Sequence, residues 1–193
     1  LIRRDLSPLY HTELGDRYAA VVRDLPQVLY RVPLIGDDRD YFNSGVMLLN
    51  LALLREESKP QELFALKESL SSDNLVDQNV FNKAFRGRVI QVSPEYNLCC
   101  MNLQRRWRRE HTLEKINDLY RSDYKGFTDL LNRSAVIHFS SKEKPWKYHD
   151  VFFVKEWEYY YRKTIYGNIP LKRKSYWLQR RLQFVRRVLL WEN

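Results

Sequence analysis

The chain has 193 residues, of which 44% are hydrophobic and 14% aromatic, so it is long and apolar enough for one globular domain with a sizeable core. Its negative mean hydropathy and its lack of an apolar run of about 18 residues exclude a transmembrane helix. The two cysteines, Cys99 and Cys100, are adjacent and cannot form a disulfide framework, which favours a reducing compartment. The sequence starts without Met and without the apolar stretch of a secretory signal, and we expect it to be cut from a longer protein.

Strands and helices are predicted to alternate, because apolar runs rich in β-branched residues are separated by segments with helical spacing. In chain order, the predicted elements are a short helix at 5–10, a strand at 18–22, a loop at 26–40, a buried strand at 42–51, helices at 54–70 and 78–85, and strands at 88–92 and 135–139. This alternation predicts an α/β fold in which helices flank a sheet.

The net charge of +9 is concentrated at the C-terminus, where residues 171–191 contain seven Lys and Arg residues and no acidic residue. Apolar residues in this segment recur at helical spacing and predict an amphipathic helix. They are Leu178, Leu182, Val185 and Leu189. Arginines opposite an apolar stripe are typical of a helix that binds an anionic membrane surface. We therefore expect a membrane partner rather than nucleic acid, and a helix that docks its stripe on the domain is the alternative.

Polar motifs lie at the ends of three predicted elements. Asn43, Ser44 and Gly45 come at the start of the buried strand, while Asp77 and Gln78 open a helix. Taken singly, the first motif is explained as a turn and the second as a helix cap.

A third polar motif begins at His138, which ends a predicted strand. A lone histidine is most often structural, but open α/β sheets place their sites at the carboxyl ends of strands. The position of this histidine therefore makes it a candidate site residue.

In this order, residues 41–46, 77–82 and 138–146 resemble the family-8 glycosyltransferases. That family consists of retaining, metal-dependent sugar transferases and includes bacterial lipopolysaccharide galactosyl- and glucosyltransferases. The resemblance implies a GT-A-like, Rossmann-related mixed sheet with flanking helices, incomplete at the N-terminus. It also implies that residues 1–170 are the C-terminal two thirds of a catalytic domain, followed by a basic amphipathic tail at 171–193.

By this resemblance, two of the motifs bind the donor sugar. Asp77 is expected to bond the sugar hydroxyls, and Gln78 is expected to lie beside the anomeric carbon. Asn43, Ser44 and Gly45 are expected to line the sugar. Because an amide is a poor nucleophile, we expect Gln78 to stabilise positive charge electrostatically in an ion-pair mechanism.

The third motif is expected to hold the leaving diphosphate. His138 matches a metal ligand of the family, and one imidazole among hard oxygen ligands suits Mn²⁺ or Mg²⁺. Lys144 matches the lysine that contacts the diphosphate as a point charge. Ser141 stands where the family usually has Gly, so we expect the diphosphate to fit differently here. Asn97 resembles a residue of the family's acceptor-side loop.

The family's metal-binding Asp-x-Asp is expected just before Leu1, because the helix that follows it in the family matches residues 5–10. Asp38 and Asp40 have the same spacing, but they lie in a predicted loop with Arg39 between them, which would repel a cation. The resemblance therefore predicts that the 193-residue chain on its own lacks transferase activity.

Together these matches imply an enzyme that transfers a hexose, galactose or glucose, from a UDP-sugar to a cell-envelope glycan or glycolipid acceptor with retention. Such an enzyme is expected in the cytoplasm, peripheral on the inner face of the cell membrane. The alternative is a non-catalytic or decayed transferase fragment that acts as an anionic-membrane-binding module.

Overall fold

A computed structural model describes residues 1–25, 40–69, 76–99 and 113–191. Within this part of the chain, two compact units are distinguished. The first, which we call the sheet unit, contains residues 2–98 and 113–137 of the described ranges. The second, the C-terminal unit, contains Leu1, Cys99 and residues 138–191. The division at residue 170 stays a prediction.

The sheet unit is built on three strands in the described residues: β1 (Ala19–Arg23), β2 (Phe42–Leu49) and β3 (Val89–Gln91), in the order β2-β1-β3. Strand β2 pairs antiparallel with β1, whereas β3 pairs parallel with it. The register of the β1–β2 pair shifts between Val21 and Val22, which marks a bulge. The predicted mixed sheet is therefore confirmed, with each of these strands in its expected segment.

Helices follow and flank the strands. They are α1 (Ser7–Tyr10), α2 (Leu51–Glu56), α3 (Lys59–Ser69), α4 (Val76–Ala84), α5 (Leu113–Tyr120), α6 (Phe127–Arg133), α7 (Val154–Tyr161) and α8 (Tyr176–Trp191), with a 3₁₀ helix at Pro94–Tyr96. Two further short strands, β4 (Leu98–Cys99) and β5 (Ile137–His138), pair with each other where the two units meet in the chain. The expected C-terminal helix is present as α8.

The single helix predicted at 54–70 is wrong, because the chain forms α2 and α3 there instead. Asn50 ends the preceding strand early, since its side chain accepts a hydrogen bond from the Leu53 N–H at 3.2 Å and caps α2. Ser58 then adopts a left-handed conformation, with φ of 53°, and separates the two helices. Pro60 falls in the first turn of α3, where its missing N–H costs no helical hydrogen bond.

The core of the sheet unit lies between the sheet and helices α2 to α4. Residues Ala19 and Val21 of β1 are fully buried, as is Phe85 directly after α4. The Phe85 ring contacts Tyr18 with 5.2 Å between ring centroids. Burying these apolar surfaces fixes α4 against the strands, and α4 carries one of the predicted motifs.

The described helices include none that is both long enough and apolar enough to cross a membrane. The predicted loop at 26–40 lies outside the described residues except for Asp40, and so does Cys100.

Candidate functional site

The side chain of Asn82 ties helix α4 to strand β2. Its carbonyl oxygen accepts from the Phe42 N–H at 2.8 Å, and its amide donates to the Phe42 carbonyl at 2.8 Å. The same amide donates to the Gln78 carbonyl, also at 2.8 Å. Because residues four apart share a helix face, Gln78 lies on the side of α4 that Asn82 holds against β2.

Gln78 contacts the start of β2 through its own side chain. Its carbonyl oxygen accepts from the Asn43 side-chain amide at 3.0 Å and from the Ser44 N–H at 3.4 Å. Gln78 and Asn43 are 6% and 8% exposed, so their amides are held away from bulk water. A buried amide with this many partners has a fixed orientation.

Asp24 is a member of the site that the sequence reasoning missed. Its Oδ2 accepts from the Gln78 side-chain amide at 3.0 Å and from the Asn43 side-chain amide at 3.3 Å. Asp24 follows directly after the buried strand β1, and a carboxylate at the carboxyl end of a buried strand is the signal that could have identified it. The carboxylate places a negative charge within hydrogen-bonding distance of both amides.

Asp77, Ser44 and Gly45 form the solvent-facing side of this network. The Ser44 hydroxyl donates to Asp77 Oδ2 at 3.1 Å, and the Gly45 N–H donates to the Asn43 carbonyl oxygen at 3.0 Å. Asp77 lies in the first turn of α4, where the helix dipole favours a carboxylate. Asp77 and Gly45 are exposed.

Asn97 closes the network from a third direction. It follows the 3₁₀ helix and is 3% exposed, and its amide donates to the Asn43 carbonyl oxygen at 3.0 Å. The sheet unit thus brings together six of the residues that the sequence singled out. They are Asn43, Ser44, Gly45, Asp77, Gln78 and Asn97.

The remaining predicted site residues, His138, Ser141 and Lys144, lie in the C-terminal unit. His138 Nδ1 is 3.9 Å from the Cys99 thiol. The Ser141 hydroxyl donates to Glu143, and the Lys144 ammonium donates to the Phe139 carbonyl. That these three residues converge with Gln78 on one site stays a prediction.

The start of helix α8 is held by hydrogen bonds to Asp150 and Glu143 of the same unit. Asp150 accepts from the Ser175 hydroxyl at 2.6 Å and from the Tyr176 N–H at 2.7 Å, and these bonds lower its pKa although burial opposes the shift. The Tyr176 hydroxyl donates to Glu143 at 2.5 Å. Burial, together with Glu143, raises the pKa of Tyr176 to about 12, so its phenol stays a donor at neutral pH.

The described residues do not by themselves make a metal site. No group of three or more His, Cys, Asp or Glu side chains within them is arranged to hold a metal ion. Within the described residues, the oxygen ligands that Mn²⁺ or Mg²⁺ needs are not grouped around His138. Asp40 pairs with Arg23 at 3.1 Å, and Asp38 lies outside the described residues.

The sheet unit thus contains a polar network at its strand ends, and comparison with known proteins gives the family of the chain. Residues 1–150 match the family model described as Glycosyl transferase family 8, and the chain belongs to that family. It is 30% identical over 163 residues to the probable glycosyl transferase Gly of Streptococcus gordonii, which covers 83% of the chain. It is 28% identical over 182 residues to a lipopolysaccharide 1,2-glucosyltransferase of Escherichia coli, which covers 87% of the chain.

Solved structures agree on the fold. The bifunctional glycosyltransferase WbbM in its apo form is similar with a TM-score of 0.65 at 20% identity, covering 86% of this chain and 32% of that one. The galactosyltransferase LgtC, in complex with donor and acceptor sugar analogues, is similar with a TM-score of 0.63 at 22% identity, covering 88% of this chain and 59% of that one. These similarities confirm the expected GT-A-like α/β fold.

The chain spans only part of each of these relatives. It covers 20% of the Streptococcus gordonii protein and 48% of the Escherichia coli protein. Family and fold are thus established for this chain, whereas the reaction, substrates and partners of the whole protein are matters for proposal.

Replacing Asn82 with Ala is expected to lower the free energy of unfolding by about 3 kcal/mol, because it strips partners from the buried Phe42 N–H and carbonyl. Urea denaturation followed by circular dichroism measures the change. Asn132→Ala is the matched control, since Asn132 is exposed on α6. It should change stability by no more than about 0.5 kcal/mol. Equal losses in the two variants would show that the Asn82 tie contributes nothing.

Proposed function

We propose that the protein transfers a hexose, galactose or glucose, from a UDP-sugar to a cell-envelope glycan or glycolipid acceptor, with retention at the anomeric carbon. The observation that carries this proposal is the network in which half-buried Asp24 contacts the buried amides of Asn43 and Gln78, and Asn97 contacts Asn43, at the strand ends of a family-8 domain. The name of the lipopolysaccharide 1,2-glucosyltransferase relative favours glucose and an envelope glycan.

The exposed side of the network is suited to the donor sugar. Asp77 and Ser44 present hydroxyl and carboxylate oxygens to solvent, and Gly45 has no side chain to keep a sugar away. Sugar hydroxyls both donate and accept hydrogen bonds, so a carboxylate beside a hydroxyl can bind them in pairs. Asn97 contacts the same network from the acceptor-side loop.

We assign Gln78 an electrostatic role rather than a nucleophilic one. Its carbonyl oxygen already accepts from Asn43 and Ser44, which lowers its power to attack a carbon. The negative charge comes from Asp24, which two amides hold in place. A fixed carboxylate next to an oriented carbonyl stabilises positive charge as it develops on the sugar while the diphosphate leaves.

The C-terminal unit contributes the leaving-group contacts in this proposal. Lys144 would place an ammonium on the diphosphate, and Ser141 would donate a hydroxyl or an N–H where the family usually has Gly. His138 would be one ligand of a Mn²⁺ or Mg²⁺ ion, whose other ligands are not among the described residues. When bound, such an ion neutralises diphosphate charge.

The competing proposal is a non-catalytic member of the family that binds an anionic membrane. The assay for transfer uses the longest natural polypeptide that contains this chain, and it measures UDP release from UDP-glucose and UDP-galactose with Mn²⁺ present. Absence of any release would favour the non-catalytic alternative.

Gln78→Ala and Asp24→Asn are each expected to lower kcat by about a hundred-fold, the cost of losing one oriented electrostatic partner of the transition state. UDP release at saturating donor measures this effect. Gln61→Ala is the matched control, because Gln61 is exposed on α3, and its kcat should equal that of the wild type. An unchanged kcat in both site variants would remove the network from the mechanism.

We also propose that α8 contacts an anionic membrane, as a peripheral protein on the cytoplasmic face. Trp177, Leu178 and Leu182 are each at least 55% exposed, so this part of the apolar side of α8 is open to solvent. Lys172, Lys174, Arg180 and Arg181 are exposed around it. Arg173 is an exception among the bases, since it pairs with Glu158.

The exposed stripe predicts a binding contribution that salt does not screen. The double variant Leu178→Ser and Leu182→Ser should weaken co-sedimentation with phosphatidylglycerol vesicles at least about ten-fold at any salt concentration. Phe64→Ser, at a residue that is 69% exposed on α3, serves as the control and should bind like the wild type. If the double variant sediments as the wild type does, α8 is not the membrane anchor.

A further inference from the structure

The sheet unit contains a cavity of about 550 Å³ that none of the predicted site residues lines. It lies at the carboxyl ends of β1 and β3 and is walled by α5 and the turn that follows it. The residues that matter here are Arg23, Gln91, Ser93, Tyr120, Arg121 and Tyr124.

One wall of the cavity carries a buried acceptor. The Gln91 side-chain carbonyl oxygen is buried and has no hydrogen-bond partner in the described part of the chain. The amide nitrogen of the same side chain donates to the Asp40 carbonyl at 3.1 Å. This bond identifies the unpaired atom as the oxygen, because an oxygen could not donate to that carbonyl. Because leaving a buried acceptor unpaired is costly, a ligand that donates a hydrogen bond to this atom would be favoured.

Two of the arginines that line the cavity are paired with carboxylates, so the cavity wall carries little net charge. Arg23 pairs with Asp40 at 3.1 Å, and Arg133 pairs with Glu95 at 2.9 Å and with Asp123 at 2.8 Å. Arg121 is exposed and forms no ion pair with the described residues. One guanidinium is thus available to donate, beside carboxylates that can accept.

Tyrosines complete the wall. Arg23 lies 5.8 Å from the Tyr120 ring centroid, and Arg133 lies 4.6 Å from that of Tyr124. The Tyr124 hydroxyl donates to Glu95 at 3.0 Å and lies 3.2 Å from the Ser93 hydroxyl. Burial raises the pKa of Tyr124 to about 12, so this phenol keeps its proton at neutral pH.

We propose that this cavity is a saccharide-binding subsite, in which a sugar hydroxyl donates to the Gln91 carbonyl oxygen and a sugar oxygen accepts from Arg121. Within the described residues, the aromatic rings, the exposed Arg121 guanidinium and the unpaired Gln91 acceptor match a ligand whose hydroxyls both donate and accept. An ionised phosphate group could use the guanidinium but could not supply the missing donor, since it only accepts.

The chain links the cavity to the candidate site by two short steps. Arg23 immediately precedes Asp24, and the 3₁₀ helix Pro94–Tyr96 leads from the cavity wall to Asn97. A saccharide bound here is therefore suited to be a remote sugar of the acceptor glycan. This role rests on the proposed function, whereas saccharide binding itself does not.

Saturation-transfer NMR on the 193-residue chain tests the proposal, with lactose, maltose and N,N′-diacetylchitobiose as probes. At least one of them should bind. Gln91→Leu and Arg121→Ala should each weaken that binding about three- to ten-fold, the loss expected for one hydrogen bond. Gln61→Leu and Arg55→Ala, both at exposed residues, are the matched controls and should bind like the wild type.

Several results would overturn the inference. The first is that no probe binds, and the second is that all variants bind a probe equally well. The third is that inorganic phosphate binds in place of the sugars and that Arg121→Ala abolishes this binding. Because Arg121 is exposed, its variant is expected to fold even if Gln91→Leu does not. Sugar binding that Gln78→Ala removes and Gln91→Leu does not would place the sugar in the candidate site, which refutes the subsite but leaves the proposed function standing.

Discussion

The buried side chain of Asn82 holds helix α4 in register with strand β2, because it bonds both polar groups of the Phe42 backbone. Nearby, the Tyr41 hydroxyl donates to the buried Asn79 side chain at 2.5 Å and makes a second tie between the same segments. Both bonds lie away from water, where a lost partner is expensive. The contact between Gln78 and Asn43 depends on this alignment, because their amides meet only while α4 and β2 keep their register.

A single carboxylate gives the network its charge. Asp24 accepts from the amides of both Gln78 and Asn43, so the negative charge and the two dipoles are oriented before any ligand binds. Preorganised groups of this kind need not rotate when charge develops on a substrate, which makes them effective in a buried site. Asp77 is exposed and Ser44 is half-buried, so the network combines a fixed charge with polar groups that ligand hydroxyls can reach.

Sequence patterns predicted the strands and the placement of α4, because apolar periodicity reports the elements. The resemblance to the family, which the order of the motifs carries, singled out six of the residues that meet in the network. Asp24 was missed because it belongs to no motif, although its position directly after the buried strand β1 was a signal that could have identified it. The break at Ser58 was missed as well, because apolar periodicity continues through it and does not report a left-handed backbone. His138 and Lys144 remain predictions from the motif alone.

The central claim is that the amides of Asn43 and Gln78 line the donor-sugar site and that the amide of Asn97 is coupled to them through its bond to Asn43. Side-chain amide resonances of a ¹⁵N-labelled protein, titrated with UDP-glucose or UDP-galactose in the presence of Mg²⁺, test it directly. We expect the resonances of these three amides to shift together and saturably, while that of the exposed Asn132 does not move. Saturable binding of both UDP-sugars that leaves the three amides unmoved would contradict the account.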